Sequence, residues 1–263
     1  MDVQGHRGAR GLLPENTLPA FQRALGLGVD TLELDCGVTK DGVVVVHHDR
    51  RLNPDLARGP DGKWVASPGP TIRSLTYAEL QRYDVGRLRP GSEYAKRFPH
   101  QQAVDGARIP RLADVLKFKS RFNIETKISP DHPEETVGPE ELARALISEI
   151  RKAKATATIQ SFDFRTLRVV EREAPEIPTV YLTDGRDFDP EKMRKLGAKI
   201  WSPNFADVSR NTFEKAKSLG LEVVVWTVNE PADIARALDM GLDGIISDYP
   251  DRVLAEVKRR GAR

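Results

Sequence analysis

Short apolar runs alternate with amphipathic stretches along most of the chain. The runs fall at residues 3–6, 31–36, 122–127, 156–161, 179–182, 199–202, 222–227 and 244–247, and read as strands. Residues 18–25, 139–152, 164–173, 189–196, 209–219, 231–240 and 251–260 place apolar side chains at helical spacing. Several of these carry end signals. Pro231 fits a first helical turn, Asp163 and Ser209 fit N-caps, and Gly220 and Gly241 fit left-handed C-terminal caps. Strand–helix alternation with short loops implies a parallel sheet, and eight strands imply closure into a TIM (β/α)8 barrel. The expected architecture is α/β, one barrel domain over residues 1–263.

One segment breaks the alternation. Between residues 50 and 109 Pro, Gly, Arg and Asp replace the apolar stripe, with Pro54, Pro60, Pro68, Pro70, Pro90 and Pro99 among them. A structureless loop of this length is unusual in a compact domain. The segment therefore reads as a small insertion on the barrel rim, following the second-strand hairpin, with a short helix at 77–83.

Candidate chemistry clusters at strand ends. Glu33 and Asp35 are two apart in the second strand, so they face one side while Leu34 faces the other. Two carboxylates facing a barrel interior repel each other, and a cation between them removes that cost. Oxygen ligands suit one Mg²⁺ or Ca²⁺ ion. Asp41-Gly42 is a two-residue hairpin signal. In that register Lys40 pairs with Val43, Val38 with Val45 and Cys36 with His47, and His48 lies opposite Asp35. A one-residue bulge would exchange the roles of His47 and His48. His6 ends the first strand, and Glu125 and Lys127 end the third of the barrel, again two apart. The C-terminal ends of barrel strands form the active face, which gathers His6, Arg7, Glu33, Asp35, His48 and Glu125. Histidines move protons near neutral pH, and an arginine fork suits a phosphate. Plainer roles also exist: an ion pair for Glu125 and Lys127, a helix N-cap for Glu15-Asn16-Thr17, core packing for Trp226, and turn or cap duty for Asp49 and Asp248.

Composition narrows the picture. Lys+Arg 41 against Asp+Glu 39 leaves a net charge of +2, a balance that does not indicate a nucleic-acid binder. The basic tail at 258–263 reads as a solvated helix end. The single cysteine, Cys36, excludes an internal disulfide and any Cys-rich zinc site. No apolar run approaches the roughly 20 residues of a membrane span. The chain as given points to the cytoplasm. Its abrupt start also fits a mature protein whose leader was removed, which would place it in the periplasm or outside the cell.

Nine short motifs occur in order: His6-Arg7-Gly8, Pro14-Glu15-Asn16-Thr17, Glu33-x-Asp35, Thr39-Lys40-Asp41-Gly42, His48-Asp49, Ile124-Glu125-Thr126-Lys127, Gln160-Ser161-Phe162, Val225-Trp226-Thr227-Val228-Asn229 and Ser247-Asp248-Tyr249-Pro250. On these motifs, from residue 3 to about 255, the chain resembles the glycerophosphodiester phosphodiesterase family. The resemblance implies a TIM barrel with an insertion after the His-Asp motif. It implies Glu33, Asp35 and Glu125 as ligands of one divalent ion, and His6 and His48 as general acid and base. It gives Arg7 and Lys127 to the phosphate, with Glu15 and Asn16 in support; Phe162 and Trp226, at matching strand ends, offer an apolar wall for the glycerol carbons. The implied reaction is metal-dependent hydrolysis of small glycerophosphodiesters to glycerol 3-phosphate and an alcohol, with the glycerol 2-hydroxyl as nucleophile. Lysophospholipid cleavage by the same site and a non-catalytic binding barrel are the alternatives.

Overall fold

The computed structural model describes residues 1–185 and 189–261. Strands β1 (Asp2–Gly5) and β2 (Thr31–Val38) are followed by the short β3 (Val44–Val46). Next come β4 (Arg121–Thr126), β5 (Thr156–Ser161), β6 (Thr179–Thr183), β7 (Ile200–Pro203), β8 (Glu222–Val225) and β9 (Gly244–Ser247). Around the ring β1, β2, β4, β5, β6, β7, β8, β9 each strand pairs in parallel with the next, and β9 pairs back to β1. This is the closed eight-stranded barrel that the alternation implied. Among the described strands only β3 is antiparallel, hanging on β2.

The helices are α1 (Leu18–Leu27), α2 (Tyr77–Leu80), α3 (Glu93–Arg97), α4 (Leu112–Val115), α5 (Pro139–Ala153), α6 (Phe164–Glu173), α7 (Pro190–Lys195), α8 (Arg210–Ser218), α9 (Pro231–Met240) and α10 (Pro250–Arg259). Their ends follow local chemistry. Asp163 accepts from the Arg165 N–H and Ser209 from the Thr212 N–H, while Gly241 closes α9 at φ 73°. No helix among the described residues is long and apolar enough to cross a membrane. Of the basic tail, Arg259 and Arg260 pair with Glu256, and Ala262 and Arg263 lie outside the described residues.

Alternation in β2 and β4 sorts the side chains. Leu32, Leu34, Cys36, Phe122 and Ile124 lie in the main apolar core with Leu142, Leu146 and Ile150 of α5. Each fully buried side chain of this kind contributes about 1.5–3 kcal/mol. The same alternation turns Glu33, Asp35, Asn123 and Glu125 to the opposite face, inside the barrel. Parallel pairing sets Glu33 beside Asn123 and Asp35 beside Glu125. The hydrophobic pattern thus drives buried carboxylates together.

The hairpin corrects one expectation. Cys36 pairs with Val46, not His47, and Val38 pairs with Val44. Thr39 and Val43 close a three-residue loop in which Gly42 takes φ 80°. A left-handed glycine after the turn adds the extra residue. Thr39 Oγ1 fixes the loop, donating to Asp41 Oδ1 at 2.6 Å and accepting from the Val43 N–H at 2.9 Å. The one-residue shift puts His47, rather than His48, opposite Asp35, through a 2.9 Å bond from its N–H to the Asp35 carbonyl.

From Arg50 to Ile109 the chain carries a 3-10 turn at Ile72–Ser74 and helices α2 and α3. A second apolar cluster of Leu52, Ala57, Ile72, Leu80, Val85 and Ile109 anchors this segment on Val45 of β3.

Candidate active site

The loop after β1 is shaped by backbone geometry. Arg7 and Gly8 both have positive φ, 51° and 88°. A Cβ on Gly8 would sit 2.7 Å from the Ala20 carbonyl carbon, so only glycine lets this loop lie on α1. The tight turn aims the Arg7 N–H at Glu33 Oε2, 2.9 Å away.

Three carboxylates from two adjacent strands meet beneath that loop. One oxygen from each of Glu33, Asp35 and Glu125 lies within 4.8 Å of the other two, and all three residues are buried. Burial and the charges of Asp35 and Glu125 push the Glu33 carboxyl well above its ordinary range. Burial also works against Asp35 as an anion, but His48, Arg7 and Lys127 outweigh it and hold that carboxyl far below its ordinary range. Asp35 Oδ1 is buried without a hydrogen-bond partner. Three converging hard oxygen donors, one of them orphaned, fit a divalent cation. The cluster can hold such an ion.

Cations surround the cluster. Arg7 Nη1 donates to Glu15 Oε1 at 2.6 Å, and its Nε lies 3.3 Å from Asp35 Oδ2. Lys127 Nζ donates to Glu125 Oε1 at 2.6 Å and lies 3.7 Å from Asp35 Oδ1. Burial would lower the Lys127 ammonium, but Glu125 and Asp35 keep it raised and charged. Asn16, at φ 55°, donates from Nδ2 to Asp35 Oδ2 at 2.9 Å. The Thr17 hydroxyl caps α1, so capping and site contacts fall to neighbouring residues.

Two histidines face the same cavity, a space of about 400 Å³ whose walls include His6, Arg7, Glu33, His48, Lys127 and Trp226. His6 Nδ1 is 2.6 Å from Asp248 Oδ1, and its Nε2 is 3.9 Å from Glu33 Oε2. His48 Nδ1 is 2.6 Å from Asp49 Oδ1. Each ring thus has its Nδ1 engaged by a carboxylate. Burial and the Arg10 charge lower the His6 imidazolium to about 4, despite Asp248. Phe162 and Trp226 meet edge to face at 5.5 Å on the cavity wall. Phe162 is 45% exposed, which makes it an available apolar surface rather than core.

His47 is not in this cavity. Its ring is buried elsewhere, with Nε2 unpartnered. The register shift therefore did not exchange the two histidines. The β2–β3 ladder ends with the bond from the His47 N–H to the Asp35 carbonyl, and His48 reaches the cavity from beyond the paired residues.

Sequence reasoning undervalued three residues. Asp49 and Asp248 are not simple turn or cap residues, since each holds a histidine ring. Asp248 also takes Arg10 Nε at 2.8 Å and Asn229 Nδ2 at 2.7 Å. Their positions just past strand ends, as acids in a barrel, were the available signal. Tyr94 of α3 donates to Glu15 and accepts from Arg10 Nη1, and nothing in its surroundings in sequence announces that.

Comparison with known proteins gives the family. The model of the glycerophosphoryl diester phosphodiesterase family matches residues 6–252. The chain belongs to that family. It is an enzyme, a phosphoric diester hydrolase. A glycerophosphodiester phosphodiesterase of Bacillus altitudinis is 31% identical, over 96% of each chain. A human lysophospholipase D is 27% identical, over 94% of this chain and 83% of its own. The crystal structure of a provisionally named glycerophosphoryl diester phosphodiesterase from Silicibacter pomeroyi DSS-3 superposes with TM-score 0.91 at 35% identity. The match covers 98% of this chain and 94% of that one.

Proposed function

We propose that the chain hydrolyses small glycerophosphodiesters to glycerol 3-phosphate and an alcohol, with one Mg²⁺ or Ca²⁺ held by Glu33, Asp35 and Glu125. The observation that carries this reading is the meeting of a three-carboxylate cluster and two carboxylate-held histidines on one cavity of about 400 Å³. A divalent ion in the cluster supplies charge neutralisation at a phosphoryl oxygen. Arg7 and Lys127 stand beside the cluster and donate to the remaining phosphoryl oxygens. Glu15 and Asn16 keep Arg7 and Asp35 in place. Phe162 and Trp226 cover the glycerol carbons and exclude water.

Proton transfer falls to His6 and His48. Asp248 is held ionised by Arg10 and His6, so His6 donates from Nδ1 and leaves the Nε2 lone pair for the cavity. His6 then takes the proton of the attacking glycerol 2-hydroxyl. His48, its Nδ1 held by Asp49, protonates the leaving alcohol. The resulting cyclic phosphate is opened by water with the two roles reversed. Residues 50–109 act as a rim insertion of the single barrel domain.

A neighbouring space of about 480 Å³ shares His48, Lys127 and Phe162 with the first and is walled further out by Arg50, Arg51 and Glu135. Charged walls favour a soluble diester over an acyl chain. The exposed Phe162, with Leu52, Pro54, Pro68 and Ile128 on the wall of that outer space, favours a lysophospholipid. The test is release of glycerol 3-phosphate from glycerophosphocholine after EDTA treatment, then with Mg²⁺ or Ca²⁺ restored. Ion-dependent release is expected. Cleavage of lysophosphatidylcholine alone would move the substrate to lipids, and silence on both would leave a binding barrel.

A further inference from the structure

Inside the barrel, a file of buried side chains links the carboxylate cluster to the opposite mouth. Gln160 Nε2 donates to Glu33 Oε1 at 2.7 Å. Asn123 Nδ2 donates to Gln160 Oε1 and to Gln4 Oε1, at 2.9 Å each. Gln4 Nε2 donates to Asp2 Oδ2 at 2.8 Å. Gln4, Asn123 and Gln160 are 4%, 1% and 1% exposed, so water does not compete for these bonds.

The direction of the file follows from chemistry. An amide presents oxygen or nitrogen with nearly the same shape, and only its partners decide which. Asp2 accepts from Arg121 Nη2 and the Thr31 hydroxyl, and it can only accept while ionised. Gln4 must therefore turn its NH2 to Asp2 and its oxygen to Asn123. Asn123 must then give both its amide hydrogens, one to Gln4 and one to Gln160, while its own oxygen takes the Thr158 hydroxyl at 2.9 Å. Gln160 is left with one option, its NH2 toward Glu33. The other Glu33 oxygen is taken by the Arg7 N–H. Both carboxylate oxygens thus meet donors whose orientation is imposed from outside the cluster.

We infer that Gln160 is a positioning residue for the metal cluster, and that the file Asp2–Gln4–Asn123 sets its sense. The inference rests on the proposed ion site. Donors fixed on both Glu33 oxygens hold the carboxylate in one orientation for the ion, as outer partners of metal ligands do.

The experiment is titration calorimetry of Mg²⁺ and Ca²⁺ into EDTA-treated full-length protein, with the Tm of the metal-free form recorded beside it. Gln160→Met keeps the length and apolar volume but loses the donor. Its Kd for the ion should weaken by about tenfold or more. Asn123→Leu removes no hydrogen bond to a proposed ligand and should weaken the Kd in the same direction by less. A role in packing alone would lower the metal-free Tm and leave the Kd of the folded protein unchanged, which would overturn the inference. An effect confined to Gln160→Met would overturn the file and leave Gln160 acting alone. A parent protein that binds neither ion would instead overturn the metal reading itself.

Discussion

The two mouths of the barrel carry opposite designs. At the N-terminal mouth the cavity is the larger, about 670 Å³. Its charges are paired simply: Arg121 with Asp2 at 2.8 Å, Arg151 with Glu176 at 2.7 Å and Lys217 with Asp243 at 2.8 Å. None of its lining residues, among those described, has an orphaned buried polar atom. Its one residue at positive φ, Lys154, is a helix C-cap. At the C-terminal mouth the cavity is smaller, yet three carboxylates crowd together, Asp35 Oδ1 and Arg7 Nε lack hydrogen-bond partners, and Arg7 and Asn16 are held at positive φ. Such backbone strain costs on the order of 1–3 kcal/mol per residue. Volume does not mark the site. Stored electrostatic and backbone conflict does, because only a ligand with the right charge relieves it.

That contrast predicts a split between activity and stability. The largest effect is expected for His6→Ala and His48→Ala, each lowering kcat by about 10²–10⁴-fold. Their Tm should stay within about 4 °C of the parent. Unfolding in either variant would place that histidine in the scaffold and break the comparison. Next comes Asp35→Asn, which should weaken ion binding beyond the roughly 10–100-fold cost of losing an outer partner, as read by calorimetry.

A pH effect of intermediate size belongs to the same mouth. In the metal-free protein His6 is lowered from 6.5 to about 4, by burial and Arg10. Its folded pKa lies below the unfolded one. The stability it contributes is therefore complete above pH 6.5 and is lost as pH falls toward 4, up to about 3 kcal/mol. Glu33, raised in the fold, acts with the opposite sign, losing its contribution as pH rises. The His6 part is read as the difference in urea stability between parent and His6→Asn across that window. A ring that titrates near 6.5 by NMR would count against it.

The smallest effect should come from the other mouth. Asp243 Oδ2 accepts from the Val223 N–H at 2.7 Å and also holds Lys217. Asp243→Ala should cost about 1–3 kcal/mol of stability by stranding that N–H, with kcat unchanged. A fall in kcat would show that the mouths are coupled more widely than through the buried amide file.

Sequence patterning made much of this legible. Leu32, Leu34 and Cys36 alternate with Glu33 and Asp35, and that period alone places the carboxylates on one face. Strand–helix alternation announced the barrel for the same reason, since a face must be buried. The hairpin register was misread because Asp41-Gly42 serves a two-residue and a three-residue loop equally well. The Thr39 hydroxyl and the left-handed Gly42 chose between them. The fate of His47 and His48 then depended on where the ladder ended, which no period encodes.

Local periodicity and turn chemistry are written over a few neighbouring residues, so the sequence by itself determined the eight barrel strands, helices α1 and α5 to α10, the closed barrel and the pairing of Glu33 with Asp35. Partnership across the chain is not local. Asp248 reaches His6 over 242 positions, Tyr94 reaches Glu15 over 79, and Gln160 reaches Glu33 over 127. Only the tertiary structure decided these contacts, because they exist when closure of the barrel brings strand ends together and a rim segment packs above them.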